Sequence, residues 1–220
     1  MFVGHYAAAL AAKAAEPRTP LWTYVLGAQL LDVGYSALVV AGIEKFRVNE
    51  SLPGNPLELI HMPYSHGLPA ALVWSLVAAL LCKPLLKLTW RASAVVGLVV
   101  FSHWLLDWIV HRPDLELWYR GPKVGLGLWN YPAAEMALEL SLLAVAGGAW
   151  IAWRKSVGRQ AWPAVLFLAL LGGMATLFAL PAPPPESPLV LGITGLVLFG
   201  VIALIAWPVD RAYRPGRTFR

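Results

Sequence analysis

AWPAVLFLALLGGMATLFAL, residues 161–180, contains no charged side chain. A bilayer core of ~30 Å takes about 20 helical residues to cross, so this stretch reads as a transmembrane helix. The same reading extends outward in both directions. Residues 187–209 and 68–82 are also uncharged. Leu21–Ile43 carries only Asp32, 92–111 only Asp107 and two His, and 132–153 only Glu135 and Glu139. The sequence therefore predicts an all-α, polytopic transmembrane bundle of six spans. Residues 2–15 (FVGHYAAALAAKAA) lack the basic start of a secretory signal. They read as a short Ala-rich N-terminal helix, re-entrant or a seventh span, whose small residues allow close packing.

Composition supports this. Charged residues make up 13% of the chain, against roughly 25% in soluble domains. A very apolar soluble bundle is disfavoured, since several of the segments have no polar stripe. The lone Cys82 excludes an internal disulfide and a four-cysteine zinc site. No nucleotide-binding loop, G-x-S-x-G elbow or internal repeat is present. The whole chain, 1–220, reads as one integral membrane domain.

Basic residues set the expected orientation. Twelve of the 17 Lys and Arg fall in 13–20, 83–91, 154–160 and 210–220, which six spans place on one side. The positive-inside rule makes that side cytoplasmic, with the C-terminus there. Topology thus accounts for the basic excess without nucleic acid, and the lipid bilayer is the expected surrounding.

Within the spans, acids and histidines gather. Asp32 lies about 11 residues, or ~17 Å of helix, from the cytoplasmic start of its span. His103, Asp107 and His111 follow one another at i, i+4 and i+8 on one helical stripe. Glu135 and Glu139 enter the next span from the outer side, and His61 and His66 precede the span at 68–82. His5 reaches a similar depth if 2–15 is helical. All five histidines and four acids are expected to meet between mid-bilayer and the outer surface. Buried carboxylates without a basic partner must be protonated, solvated, hydrogen-bonded or bound to metal. His103-x3-Asp107 has a spacing that chelates one divalent ion. His103 and His111, ~12 Å apart along a straight helix, are not expected to share one ion.

Four of these motifs resemble the membrane-bound metal-dependent hydrolases, also described as LexA-binding inner-membrane hydrolases. The shared features are the early His5, the acidic LLD at 30–32, the H-x4-H of His61 to His66 and the Ser102-His103-x3-Asp107 helix, in that order over residues 1–112. The second Asp of the family's PDxD motif falls on Gly34, and its HRG triplet reads His61-Met62-Pro63. The resemblance implies a bacterial inner-membrane, multi-pass protein with a hydrolase-like half (1–112) and a C-terminal helical half (113–220).

The expected ligands of a divalent transition metal are His5, Asp32, His66, His103 and Asp107. Zinc is favoured, with manganese or iron as alternatives. Glu135, His111 and His61 are the candidates for acid–base work. A site opening to the outer leaflet suggests a lipid or lipid-linked phosphoester. The alternatives are a non-catalytic accessory subunit of a larger membrane complex and an ion or proton carrier. Haem needs only two imidazoles, and the neighbouring acids favour a harder ion.

The charge asymmetry gives the first test. A reporter fused after Arg220 should be active in its cytoplasmic form alone; activity confined to the periplasmic form overturns the orientation.

Overall fold

The computed structural model describes residues 1–180 and 183–210. Two residues of the Pro-rich connector at 181–188, and the four arginines of the tail, lie outside them. The eight α-helices among the described residues are α1 (Tyr6–Ala15), α2 (Leu21–Ala28), α3 (Leu30–Val40), α4 (Leu68–Leu85), α5 (Trp90–Val110), α6 (Pro132–Ser156), α7 (Trp162–Phe178) and α8 (Pro188–Asp210). Four of them, α4, α5, α6 and α8, are long and apolar enough to cross a membrane alone. The pair α2–α3 passes together, bent by 53° at its break, and α7 is slightly shorter. The expected all-α polytopic bundle is what forms.

Local sequence explains the helix starts. Proline occupies one of the first two positions of α4, α6 and α7 and opens α8. There its missing N–H is no loss and its fixed φ suits the helix. Thr89 caps α5 by accepting from the Ala92 N–H at 3.2 Å. Most of α4 faces outward. Only Ala71 and Ser75 are buried, whereas Leu72, Val73, Leu76 and Leu80 are exposed. α7 and α8 also show wide leucine- and valine-rich faces. Such surfaces suit hydrocarbon, where helices satisfy their own backbone.

The short helix α1 has only 10 residues and lies inside, with Tyr6, Ala7, Ala9, Leu10, Ala12 and Lys13 buried. It packs on α2 and α6, while α8 packs on α2 and α3, and α4 on α5. Elements of the first half therefore pack directly on those of the second.

Two features correct the sequence reading. The connectors between α3 and α4 and between α5 and α6 are not plain loops. Each forms an antiparallel hairpin: β1 (Lys45–Val48) with β2 (Leu57–His61), and β3 (Leu115–Glu116) with β4 (Lys123–Val124). Nor are all basic residues in solvated connectors. Helix α6 runs on through Arg154 and Lys155, and both Lys13 and Arg154 are buried.

Lys13 Nζ lies 2.8 Å from each of Pro17 O, Thr19 O and Asp210 Oδ2, and the Leu21 N–H donates to the same Asp210 oxygen at 2.9 Å. This ion pair joins the end of α1 to the end of α8. Removing one partner of a buried pair costs about 3–5 kcal/mol, whereas replacing both by apolar groups costs far less. Lys13→Met and Asp210→Leu should each lower the melting temperature in detergent, and the double variant should lose less than their sum. Additive losses overturn the pair's role.

Candidate metal centre

The break between α2 and α3 builds the first wall of the site. The Gln29 side chain donates to the Phe2 carbonyl at 2.9 Å and holds the N-terminal segment against the bend. The Ala28 carbonyl at the same break accepts from His103 Nδ1 at 2.7 Å. A carbonyl can only accept, so the His103 proton sits on Nδ1 and Nε2 presents its lone pair.

His66 is oriented from the hairpin side. The Glu44 carboxylate accepts the Tyr64 and Ser65 backbone N–H groups at 2.8 and 2.9 Å, and also the Ser65 hydroxyl. That leaves Ser65 Oγ as an acceptor for His66 Nδ1, 2.7 Å away. His66 Nε2 is therefore also left free. The Trp104 indole N–H holds the His66 carbonyl at 2.9 Å.

The two free nitrogens meet two carboxylates. His66 Nε2 lies 3.3 Å from Asp32 Oδ1, from Asp107 Oδ2 and from His103 Nε2. His103 Nε2 lies 3.0 Å from Asp107 Oδ2 and 3.6 Å from Asp32 Oδ1. Ligand bonds of ~2.1 Å in a tetrahedron put donor atoms ~3.4 Å apart, so Asp32 Oδ1, His66 Nε2 and His103 Nε2 are spaced to share one ion. Asp107 uses its other oxygen as well. Oδ1 faces His5 Nε2 at 3.1 Å, His111 Nε2 at 3.7 Å and the Met1 α-amino nitrogen at 3.6 Å. The His5 ring stacks on His103 with centroids 3.7 Å apart, and among the described residues His5 Nδ1 has no hydrogen-bond partner while Nε2 meets Asp107 without aligned hydrogen-bond geometry. Two sets of donors, Asp32–His66–His103 and His5–His103–Asp107, thus share His103.

Charge favours a cation here. In its absence the two carboxylates favour a proton on His66. Burial lowers the pKa of His66, but its hydrogen bonds to Asp107 and Asp32 outweigh burial and raise it. At His111, burial prevails over Asp107 and Asp114 and lowers the pKa. A neutral imidazole results, with Nδ1 3.2 Å from Asp114 Oδ1 and Nε2 toward Asp107.

All five residues read as ligands are thus brought together. Of the three acid–base candidates, only His111 joins them. A straight helix would hold it ~12 Å from His103. Instead α5 ends at Val110, and His111 leaves the helix with extended backbone (φ −61°, ψ 146°). His61 lies apart, on β2: its Nδ1 is 3.1 Å from Glu116 Oε2, and its ring meets Tyr64 and Tyr119. Glu135 is half-buried, and its side chain makes no hydrogen bond or ion pair among the described residues; the neighbouring Glu139 accepts from the Phe2 N–H at 2.6 Å. The departure at Gly34 is also explained. A Cβ there would stand 3.2 Å from the Trp74 ring, on the α4 side.

Three supporting acids were not singled out from the sequence: Glu44, Asp114 and Glu116. Asp114 accepts from the Leu59 N–H at 3.4 Å and Glu116 from the Met62 N–H at 3.0 Å, fastening β2 beside the site. The only local signal was the i, i+3 spacing of His111 and Asp114 in HRPD.

The model of a known family, the YdjM inner membrane protein, matches residues 1–182, which include every residue of the cluster. The chain belongs to that family. No curated protein and no solved structure matches it.

Outer partners of ligating imidazoles typically contribute 10–100-fold to metal affinity. Ser65→Ala should weaken titrated Zn²⁺ binding by about that factor, and His61→Ala should leave it unchanged. Equal effects of the two substitutions overturn the assignment of Ser65 as the group that orients His66.

Proposed function

We propose that this member of the YdjM inner membrane protein family is a metal-dependent hydrolase embedded in the bilayer. Its substrate is a lipid or lipid-linked phosphoester approached from the non-cytoplasmic side. The observation that carries the reading is the pair of imidazole lone pairs, fixed by Ala28 O and Ser65 Oγ, facing each other and two carboxylates at 3.0–3.6 Å. Without a positive species between them these atoms repel. His5, Asp32, His66, His103 and Asp107 would hold a divalent transition ion, zinc foremost. Asp107, with an oxygen toward each donor set, suits two ions as well as one.

Access supports a substrate rather than a sealed structural ion. Asp32 is 23% exposed at its side chain, against 3% or less for His66, His103 and Asp107. The opening therefore lies on the α3 side of the cluster. A bound ion supplies Lewis acidity and lowers the pKa of water toward ~7. The chain's own residues do the rest. Asp107 positions four histidines at once. His111, neutral and held by Asp114, accepts a proton at Nε2. Both hairpins cover the end of the bundle that carries the site, and with the basic cytoplasmic face proposed from charge, that end faces outward.

A non-catalytic accessory role is the second reading, favoured by the near-complete burial of four of the five ligands. The two separate by experiment. Purified protein should contain at least one transition ion per chain, and His103→Ala with Asp107→Ala should remove it. His111→Gln should keep the ion and lose about 10²–10⁴-fold in turnover of a lipid phosphoester, with Glu135→Gln much milder. Stoichiometric metal in the double variant overturns the site. A large melting shift on chelation without any hydrolytic activity favours the accessory role.

A further inference from the structure

Two enclosed hydrogen-bond donors beside the cluster have no acceptor. Tyr35 stands three residues after Asp32 on α3, and its ring meets His66 edge-on, with centroids 5.6 Å apart and planes at 86°. Its hydroxyl is shielded from solvent and has no hydrogen-bond partner among the described residues. Arg112 follows His111 directly and is 8% exposed. It donates from Nε to Asn130 Oδ1 at 2.8 Å and from Nη2 to Pro53 O, both uncharged acceptors. Its Nη1 is enclosed and unbonded. Asp114 and Glu58 act on it only at longer range, and no carboxylate among the described residues lies within ion-pair distance. Its guanidinium lies over the Trp129 ring, 5.8 Å from the centroid, and His111 lies against that same ring at 4.0 Å.

A buried donor without an acceptor is costly, and a buried guanidinium without an anion more so. These two arise on different elements, α3 and the turn after α5, and each adjoins a residue of the cluster. We propose that Tyr35 and Arg112 are the recognition points for a phosphate-type oxyanion carried to the site, so that the substrate class is a phosphate ester. Arginine donates in a planar fork that matches phosphate. A tetrahedral phosphoryl group offers oxygens in several directions, as donors from two separate elements require. A planar carboxylate offers only two. This inference rests on the hydrolase reading for its location, but not for its test.

The Tyr35 hydroxyl makes no hydrogen bond among the described residues, so Tyr35→Phe removes nothing that the fold uses. Ion content is measured first. Affinity for inorganic phosphate is then measured by calorimetry for wild type, Tyr35→Phe and Arg112→Gln in phosphatidylcholine nanodiscs, with and without phosphatidic acid. Each variant should retain the wild-type ion content and bind phosphate about tenfold more weakly or worse. Phosphatidic acid that competes with phosphate in wild type, and less in Tyr35→Phe, identifies a lipid headgroup as the source; absence of competition identifies a free phosphate. Unchanged phosphate affinity in Tyr35→Phe with the ion in place overturns this inference and leaves the metal reading standing. Wild type that binds neither anion overturns it too. Wild type that carries no ion overturns the metal reading, and the oxyanion site then stands only if Tyr35→Phe still weakens phosphate binding.

Discussion

Asp107 is the side chain on which the site turns. One oxygen faces His66 and His103, and the other faces His5 and His111. Those four histidines come from the N-terminal segment, the β2–α4 connector, α5 itself and the turn beyond it. An ionised carboxylate in a bilayer is tolerated only when surrounding groups replace its water. The four segments that meet at Asp107 are therefore held together by one electrostatic requirement. Leu31, Val100, Trp104 and Val110 pack around the same depth and keep lipid and water out, which strengthens each polar contact inside.

The helical breaks serve that requirement. Interrupting a membrane helix frees backbone groups that hydrocarbon cannot satisfy. Here the interruption at Gln29 is filled by the protein itself: the Gln29 amide takes the Phe2 carbonyl, and the Ala28 carbonyl takes His103. The end of α5 behaves similarly. Its turn through HRPD is closed by Gly127, whose N–H donates to the His111 carbonyl at 2.7 Å, and by Gly125, where a Cβ would overlap the Arg112 carbonyl. Gly125 has a φ of +150°, which a side chain would strain further. The outer hairpins thus act as a clamp that sets the histidine directions.

Much of this was legible in the sequence. Charge-free runs of 15–23 residues placed the spans, because hydrocarbon imposes a length and a composition that little else overrides. The i, i+4 spacing of His103 and Asp107 was legible because helix geometry fixes it locally. The direction of His111 was not legible, because the helix ends just before it and a one-residue change of backbone direction brings its ring toward Asp107, which the rise of 1.5 Å per residue does not show. His61 was drawn in by its H-x4-H spacing with His66, but β2 and the following turn send the two rings to different partners. Glu44 and Ser65 were illegible for a different reason. Their role depends on a contact between the end of α3 and the turn before α4, across a hairpin that no local pattern announces.

The two ends of the bundle differ in how their polar clusters balance charge. At the end where α1 and α8 finish, Lys13 and Asp210 balance in charge, and all three donor directions of the ammonium are filled by oxygens at 2.8 Å. A foreign ion there would only displace a satisfied bond. At the end that carries the histidines the balance fails. Even with the Met1 α-amino group beside Asp107, the carboxylate of Asp32 faces only His66 and His103. Both imidazoles have their Nδ1 hydrogens committed to Ala28 O and Ser65 Oγ. Two lone pairs and a carboxylate oxygen within 3.6 Å of one another require a proton or a metal ion between them. Because the Nδ1 hydrogens are fixed by contacts outside the cluster, adding a cation leaves those contacts intact. A cation placed there would therefore leave undisturbed the helices that form the cluster.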